Sequence, residues 1–290
     1  IEGFYSGPVS GEYDSATAEA VREFQRYHGL DPDGVAGMAT LRELNVPRRE
    51  RLRQIREALR YWRRAPFSKI PGYAIRVNIP EFRLFLYDSG RVVDTFKVCV
   101  GQASSDTNWT PTLASKVINI VLNPRWNVPQ RIFERELLEE IYEAGDVFEY
   151  LKKNRYEVRQ IKGKIWLSQD PGERNALGRV KLLFPNPYHI YMHDTPIRKP
   201  FERARRDVSH GCIRVDRALE LALRLLEREG WTRERFEEAL NEKEEREGKE
   251  VYKERWVPLK HPVPVFIDYV LAGGDPEGRR PHFFPDIYRK

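Results

Sequence analysis

Cysteine and methionine are nearly absent, with two of each in 290 residues. Cys99 and Cys212 are the only thiols, so at most one disulfide can form. No apolar run approaches the roughly 20 residues that a bilayer-spanning helix needs. Nor does a charged start followed by an apolar stretch mark a secretory leader. The chain opens on Ile1-Glu2-Gly3-Phe4, and the expectation is that an export signal belongs upstream of that point. A strong charge excess is missing too: 50 Lys+Arg against 44 Asp+Glu leave +6. Arg and Glu alternate through 134–143 and 224–238, the pattern of a solvated ion-pair surface, so no nucleic-acid partner is expected.

A hydrophobic fraction of 40% and aromatics at 12% supply a substantial core and more than one folding unit. Asp14 is a helix N-cap, and Thr17, Ala20, Val21, Phe24 and His28 recur at helical spacing until Gly29. Asp31-Pro32-Asp33-Gly34 makes a turn, after which Met38, Leu41 and Leu44 supply one face of a short second helix. Leu52, Ile55, Leu59 and Trp62 then form the apolar stripe of an Arg-rich linker helix over 47–70, whose basic side reads as solvated. From Tyr73 the period changes to two, with Ile75, Val77, Ile79, Leu84 and Leu86, a Ser89-Gly90 turn, and a further strand over 92–100.

Another strand is expected over 115–122, followed by helical patterning over 129–157 around Phe133, Leu137, Leu138, Ile141, Phe148 and Leu151. A helical stretch that interrupts a β-rich domain has the character of a lid. Strands resume over 180–184 and 190–193. A helix over 216–229, a second opening near Thr232, and strands over 251–257 and 263–271 complete an α+β, mainly antiparallel architecture.

The chemistry concentrates in Ser209-His210-Gly211-Cys212-Ile213-Arg214. A thiol attacks as thiolate, and its pKa falls near a helix N-terminus or an imidazole. Cys212 stands before the helix expected at Asp216, and His193, 19 residues upstream, can supply the base. Gly211, lacking Cβ, lets the N–H groups of 211 and 212 face an oxyanion, although a plain turn glycine explains it equally. Two other readings of Cys212 stand beside catalysis: a buried thiol, or a disulfide with Cys99. His193, His210 and Cys212 fit no common zinc spacing and lack a fourth ligand, so no metal and no cofactor are expected.

Tyr191-Met192-His193-Asp194-Thr195-Pro196 followed by Ser209-His210-Gly211-Cys212-Ile213-Arg214 resembles the active-site signature of the L,D-transpeptidases. Asn123-Pro124-Arg125-Trp126-Asn127-Val128-Pro129, the segment from Asn175 to Lys181, and His282-Phe283-Phe284-Pro285-Asp286-Ile287-Tyr288 resemble the branch with a helical capping insertion. Gly7-Pro8-Val9-Ser10-Gly11-Glu12-Tyr13-Asp14 and Asp33-Gly34-Val35-Ala36-Gly37 resemble a peptidoglycan-binding module, here truncated. The resemblance implies a truncated module over 1–46 and a catalytic domain over 71–290 carrying a capping insertion at about 127–180.

The resemblance further implies a periplasmic or envelope enzyme acting on peptidoglycan stem peptides, associated with glycan strands and acylated by carbapenems. Cys212 would be its nucleophile, and His193 its base, oriented by the Asp194 carbonyl. His210 would tune the thiolate or contact substrate, with a satisfied loop histidine nearly as good a description. Tyr191, on the same strand face as His193, would reach substrate or oxyanion, with packing as its alternative. Ser209 is grouped with the substrate contacts. Arg214 would bind a carboxylate, or else pair with Asp216 or Asp207. Trp126 would line the cleft, though core packing is the commoner fate of such a residue.

Overall fold

The computed structural model describes residues 3–246, 248–274 and 280–289. Ile1 and Glu2 of the expected N-terminal module therefore lie outside the described residues, as do five residues of the C-terminal segment and Lys290. The chain is a mixed α+β protein, and most of its strand pairs are antiparallel. It divides into two compact units: residues 1–114, 199–211 and 264–290 form the first, and 115–198 with 212–263 the second.

The first unit begins with the helix Ser15–Tyr27, whose Asp14 cap accepts the Thr17 N–H. Gly29 comes next at φ +63°. The second helix, Met38–Leu44, does not pack through the expected face. Met38 is 66% exposed, and its buried residue is Thr40, which accepts a hydrogen bond from Gln25 at 3.1 Å. The module is thus pinned by a polar knot in which Gln25 also reaches Asp33 and the Val35 carbonyl.

The helix Arg48–Arg64 corrects the sequence reading in the same way. Of the expected stripe, Ile55 packs against a core cluster with Ala58, while Leu52, Leu59 and Trp62 are exposed and Arg51, Gln54 and Ala58 are buried. Arg51 pairs with Glu43 at 2.7 Å and lies 4.5 Å over the Phe283 ring, so this arginine belongs to the packed face. An arginine that stacks and pairs at once can outcompete leucine for an interior position.

The strands Tyr73–Asn78, Arg83–Asp88 and Arg91–Gly101 form an antiparallel meander. Ile75, Val77, Leu84, Leu86, Val98 and Val100 are all fully buried. Asp207–Ser209 adds in parallel beside Val100 and Gly101.

In the second unit, Val180–Leu183 pairs antiparallel with 119–122 and with Met192–His193, and Met192–His193 pairs in parallel with Ile213–Val215. The insertion begins after Trp126–Asn127 and contains the helices Gln130–Ile132, Leu138–Glu143 and Val147–Lys153, with a π-helical turn at Phe133–Leu137. Beyond these helices lies a hairpin that the helical pattern does not announce. Its strands are Tyr156–Ile161 and Lys164–Gln169, turned by Lys162 and Gly163 at φ +50° and +77°. Along them only Leu167 and Gln169 are buried, so the hydrophobic alternation that advertises a strand is faint. The insertion has its own core of Trp126, Val128, Phe133, Leu137, Ile141, Leu167 and Leu177, against which Tyr191 packs.

Candidate active site

Short strands in the second unit place the chemistry. The parallel register sets Arg214 opposite His193 and Ile213 opposite Met192. Alternate residues share a face, so Tyr191, His193, Cys212 and Arg214 occupy one side, and Met192 and Ile213, both fully buried, occupy the other. The antiparallel neighbour sets Lys181 opposite His193 on that same side. The sequence alone does not single out Lys181 as a site residue. Its signal lies in the pairing register, which no local pattern carries.

His193 is 5% exposed, and its Nδ1 lies 2.5 Å from the Asp194 carbonyl oxygen. A carbonyl only accepts, so Nδ1 carries the proton and Nε2 keeps the lone pair. Burial pushes the imidazole pKa down to about 3, assisted by the positive charges of Arg214 and Lys181. A neutral imidazole of fixed tautomer results, with its Nε2 lone pair available as a proton acceptor.

Asp194 is held in turn: its Oδ2 accepts the Arg179 N–H at 2.9 Å and its Oδ1 pairs with Arg198 at 2.6 Å. Gly178, at φ +62°, comes so close that an added Cβ would lie 2.3 Å from Asp194 Oδ2. The Asn175 amide fastens this turn, reaching the carbonyls of Pro124, Gln169 and Asp170 and accepting the Leu177 N–H.

The helix expected just after Cys212 begins only at Ala218. Ile213–Val215 intervenes as a strand, and Arg217 caps the helix at φ +53°. Cys212 thus lacks the helix N-terminus that was expected to acidify it. Burial pushes its thiol up, while the Tyr191 N–H and hydroxyl, Arg214 and Lys181 pull it back. Thiol and imidazole are therefore both neutral near pH 7, and attack requires proton transfer in place of a standing ion pair.

Tyr191 lies 5.6 Å from His193 between ring centroids. Trp126 sits in the insertion core. Arg198 lies 3.9 Å from Asp216, and Arg205 pairs with Asp207 at 2.6 Å.

In the first unit, the segment leading to Cys212 is braced by backbone bonds. Ser209 is buried, its carbonyl accepts the Gln102 N–H, and its Oγ accepts the Gly211 N–H at 3.2 Å. That bond occupies the Gly211 N–H expected to face an oxyanion. Gly211 adopts φ +109°, a backbone conformation that calls for glycine. Its carbonyl accepts the Thr110 hydroxyl at 2.9 Å, Thr110 Oγ1 accepts the Gly101 N–H at 2.8 Å, and the Tyr288 hydroxyl donates to the Gly101 carbonyl at 2.7 Å. The C-terminal motif therefore buttresses the loop. His210 is half-buried in it. Cys99 is fully buried, and neither cysteine is in a disulfide. No group of three or more His, Cys, Asp or Glu suited to a metal occurs among the described residues.

A thiol, a neutral imidazole with a fixed tautomer and flanking cations on one strand face form an arrangement chemically capable of nucleophilic acyl transfer. Residues 72–252 match the family model described as the L,D-transpeptidase catalytic domain, and residues 1–44 match one described as "Putative peptidoglycan binding domain". The chain belongs to the L,D-transpeptidase family.

A Haemophilus influenzae protein named "Putative L,D-transpeptidase" is 32% identical over 221 residues, which cover 70% of this chain and 42% of that protein. The chain thus spans less than half the length of this relative. Among solved structures, the L,D-transpeptidase from Mycobacterium smegmatis aligns at TM-score 0.33 and 12% identity, covering 68% of this chain and 58% of that one. L,D-transpeptidase 3 from Mycobacterium tuberculosis in complex with a faropenem-derived adduct aligns at 0.31 and 11%, covering 68% and 60%. Likeness of that degree adds no weight to the fold or the chemistry.

Proposed function

We propose that this protein is a peptidoglycan L,D-transpeptidase of the cell envelope that works through a Cys212 thioester. The single observation that carries the reading is the strand pairing that puts Tyr191, His193, Cys212 and Arg214 on one face, with the imidazole tautomer set by the Asp194 carbonyl. His193 Nε2 takes the thiol proton as sulfur attacks the carbonyl of the L-centre residue in a donor tetrapeptide. The tetrahedral oxyanion draws on the Tyr191 hydroxyl. Its collapse expels D-alanine, whose amine takes the proton back from the imidazolium. An amine of a neighbouring stem then attacks the thioester, gives its proton to His193, and leaves as the new amide while the thiol is restored.

The family membership and the peptidoglycan-binding match support this substrate class. Carbapenems, whose strained carbonyl presents an electrophile at the same point, would acylate Cys212. The insertion, whose core carries Tyr191, would exclude water and favour aminolysis over hydrolysis. Incubation with disaccharide tetrapeptides and mass analysis of the products tests the reading: cross-linked dimers are expected as the main product. Tripeptide as the sole product would make the protein an L,D-carboxypeptidase with water as acceptor. Binding without turnover would make it a wall-binding protein.

A further inference from the structure

Lys181 is a charged group on the catalytic face to which the proposed reaction gives no part. It is half-buried, directly across the strand pair from His193, with its ammonium 5.0 Å from the Tyr191 ring centre and 5.8 Å from that of Trp256. Among the described residues no carboxylate lies within ion-pair distance of it. Glu254 acts on it only at longer range, and its Oε1 already accepts the Arg125 N–H at 2.9 Å. Burial pulls the lysine below its ordinary range.

An ammonium carries three donors, and withdrawing it from water without a hydrogen-bonding anion is costly. Two aromatic faces return only part of that cost. A site that retains such a cation beside its nucleophile is prepared for an anion that arrives with the substrate.

We propose that Lys181 is the specificity-determining residue that binds the free C-terminal carboxylate of the donor peptide, one residue beyond the carbonyl that Cys212 attacks. The assignment rests on the transpeptidase reading of this face. Its geometry derives from the neighbours of Tyr191: the tyrosine bears on the Cys212 sulfur through its N–H and hydroxyl, and Lys181 lies over the same ring. Lys181 stands one strand beyond His193 and two beyond Cys212, and its long side chain extends over the Tyr191 ring toward a carboxylate that lies one residue, about 3.3–3.6 Å of extended chain, past the attacked carbonyl. Held there, the carboxylate makes the enzyme an exo-acting acyl transferase, selecting a donor that ends one residue past the scissile bond. The lysine acts on binding of the leaving residue, while His193 moves the proton.

The test is a substrate-by-mutation cycle. Two donors, a tetrapeptide stem ending in D-alanine and the same stem ending in D-alaninamide, are supplied to the wild-type chain, Lys181→Met and Lys181→Arg, and release of the leaving residue is measured. Wild type is expected to favour the acid by roughly ten- to a hundredfold in kcat/KM, the size of a charged hydrogen bond. Lys181→Met is expected to lose that preference, with the acid slowed at least tenfold more than the amide whatever loss the two donors share, and Lys181→Arg is expected to retain part of it. Equal losses on both donors would make the lysine structural and overturn the assignment. So would an undiminished preference in Lys181→Met. Failure of the wild-type chain to release either leaving residue would instead overturn the transpeptidase reading, and the lysine assignment with it.

Discussion

Exchange of His193 for glutamine is expected to slow acylation of Cys212 by 10²–10⁴-fold at pH 7, the range typical of a lost general base, roughly 3–5 kcal/mol of barrier. Glutamine keeps much of the ring's bulk and hydrogen-bonding capacity, so the fold should survive. The pH profile identifies the cause. In the wild type the imidazole pKa is pushed down to about 3, so the base stays neutral and competent above that value. The acylation rate should then be level from pH 5 to 8, with no inflection near the ordinary imidazole value of about 6.5. Without the base only pre-formed thiolate reacts. Because burial holds the thiol above its ordinary range, the variant's rate should climb about tenfold per pH unit through neutrality. A wild-type inflection near 6.5 would mean that the imidazole is solvated and the site more open than described.

Gly178→Ala is expected to damage the protein more than its distance from the sulfur suggests. The new Cβ would come 2.3 Å from Asp194 Oδ2 at a residue held at φ +62°. The left-handed backbone costs alanine about 1–2 kcal/mol, and crowding a packed site adds about 1–3 kcal/mol. Relief requires Asp194 to move, and its carbonyl fixes the tautomer of His193. A fall in melting temperature together with slower acylation is therefore expected. A stable variant with an unchanged rate would show that the Asp194 turn has slack.

Sequence discloses the residues of this site unequally. Cys212 and His193 are legible because their chemistry is rare in a chain with two cysteines and six histidines. The place of Tyr191 comes from alternation along one strand. The placement of Lys181 is illegible, because it reaches the proposed catalytic face only through pairing with His193, and register between separate strands leaves no mark in either. The acidifying helix is misplaced for a related reason: Ile213-Arg214-Val215 is too short to display a period, so the helical pattern after it extends backwards toward the cysteine.

Elsewhere the polar residues mislead. Thr40, Gln54 and Arg51 take interior positions that Met38, Leu52 and Leu59 are expected to fill, because hydrogen bonds, an ion pair and a stacked ring satisfy them there. The α+β class, by contrast, is readable from the alternation in 73–100, where burial is strong enough to impose a period. The Gly211 turn is half legible: its need for a positive φ is readable, but the capture of its N–H by Ser209 Oγ is not.

The most direct test of Cys212 as the nucleophile is the intact mass of the chain after incubation with a carbapenem, run in parallel on Cys212→Ala. A single adduct is expected on the wild-type protein, labile as a thioester is, and none on the variant even though Cys99 remains. An adduct that persists in Cys212→Ala, or a reduced wild-type chain that stays unmodified, would contradict the assignment.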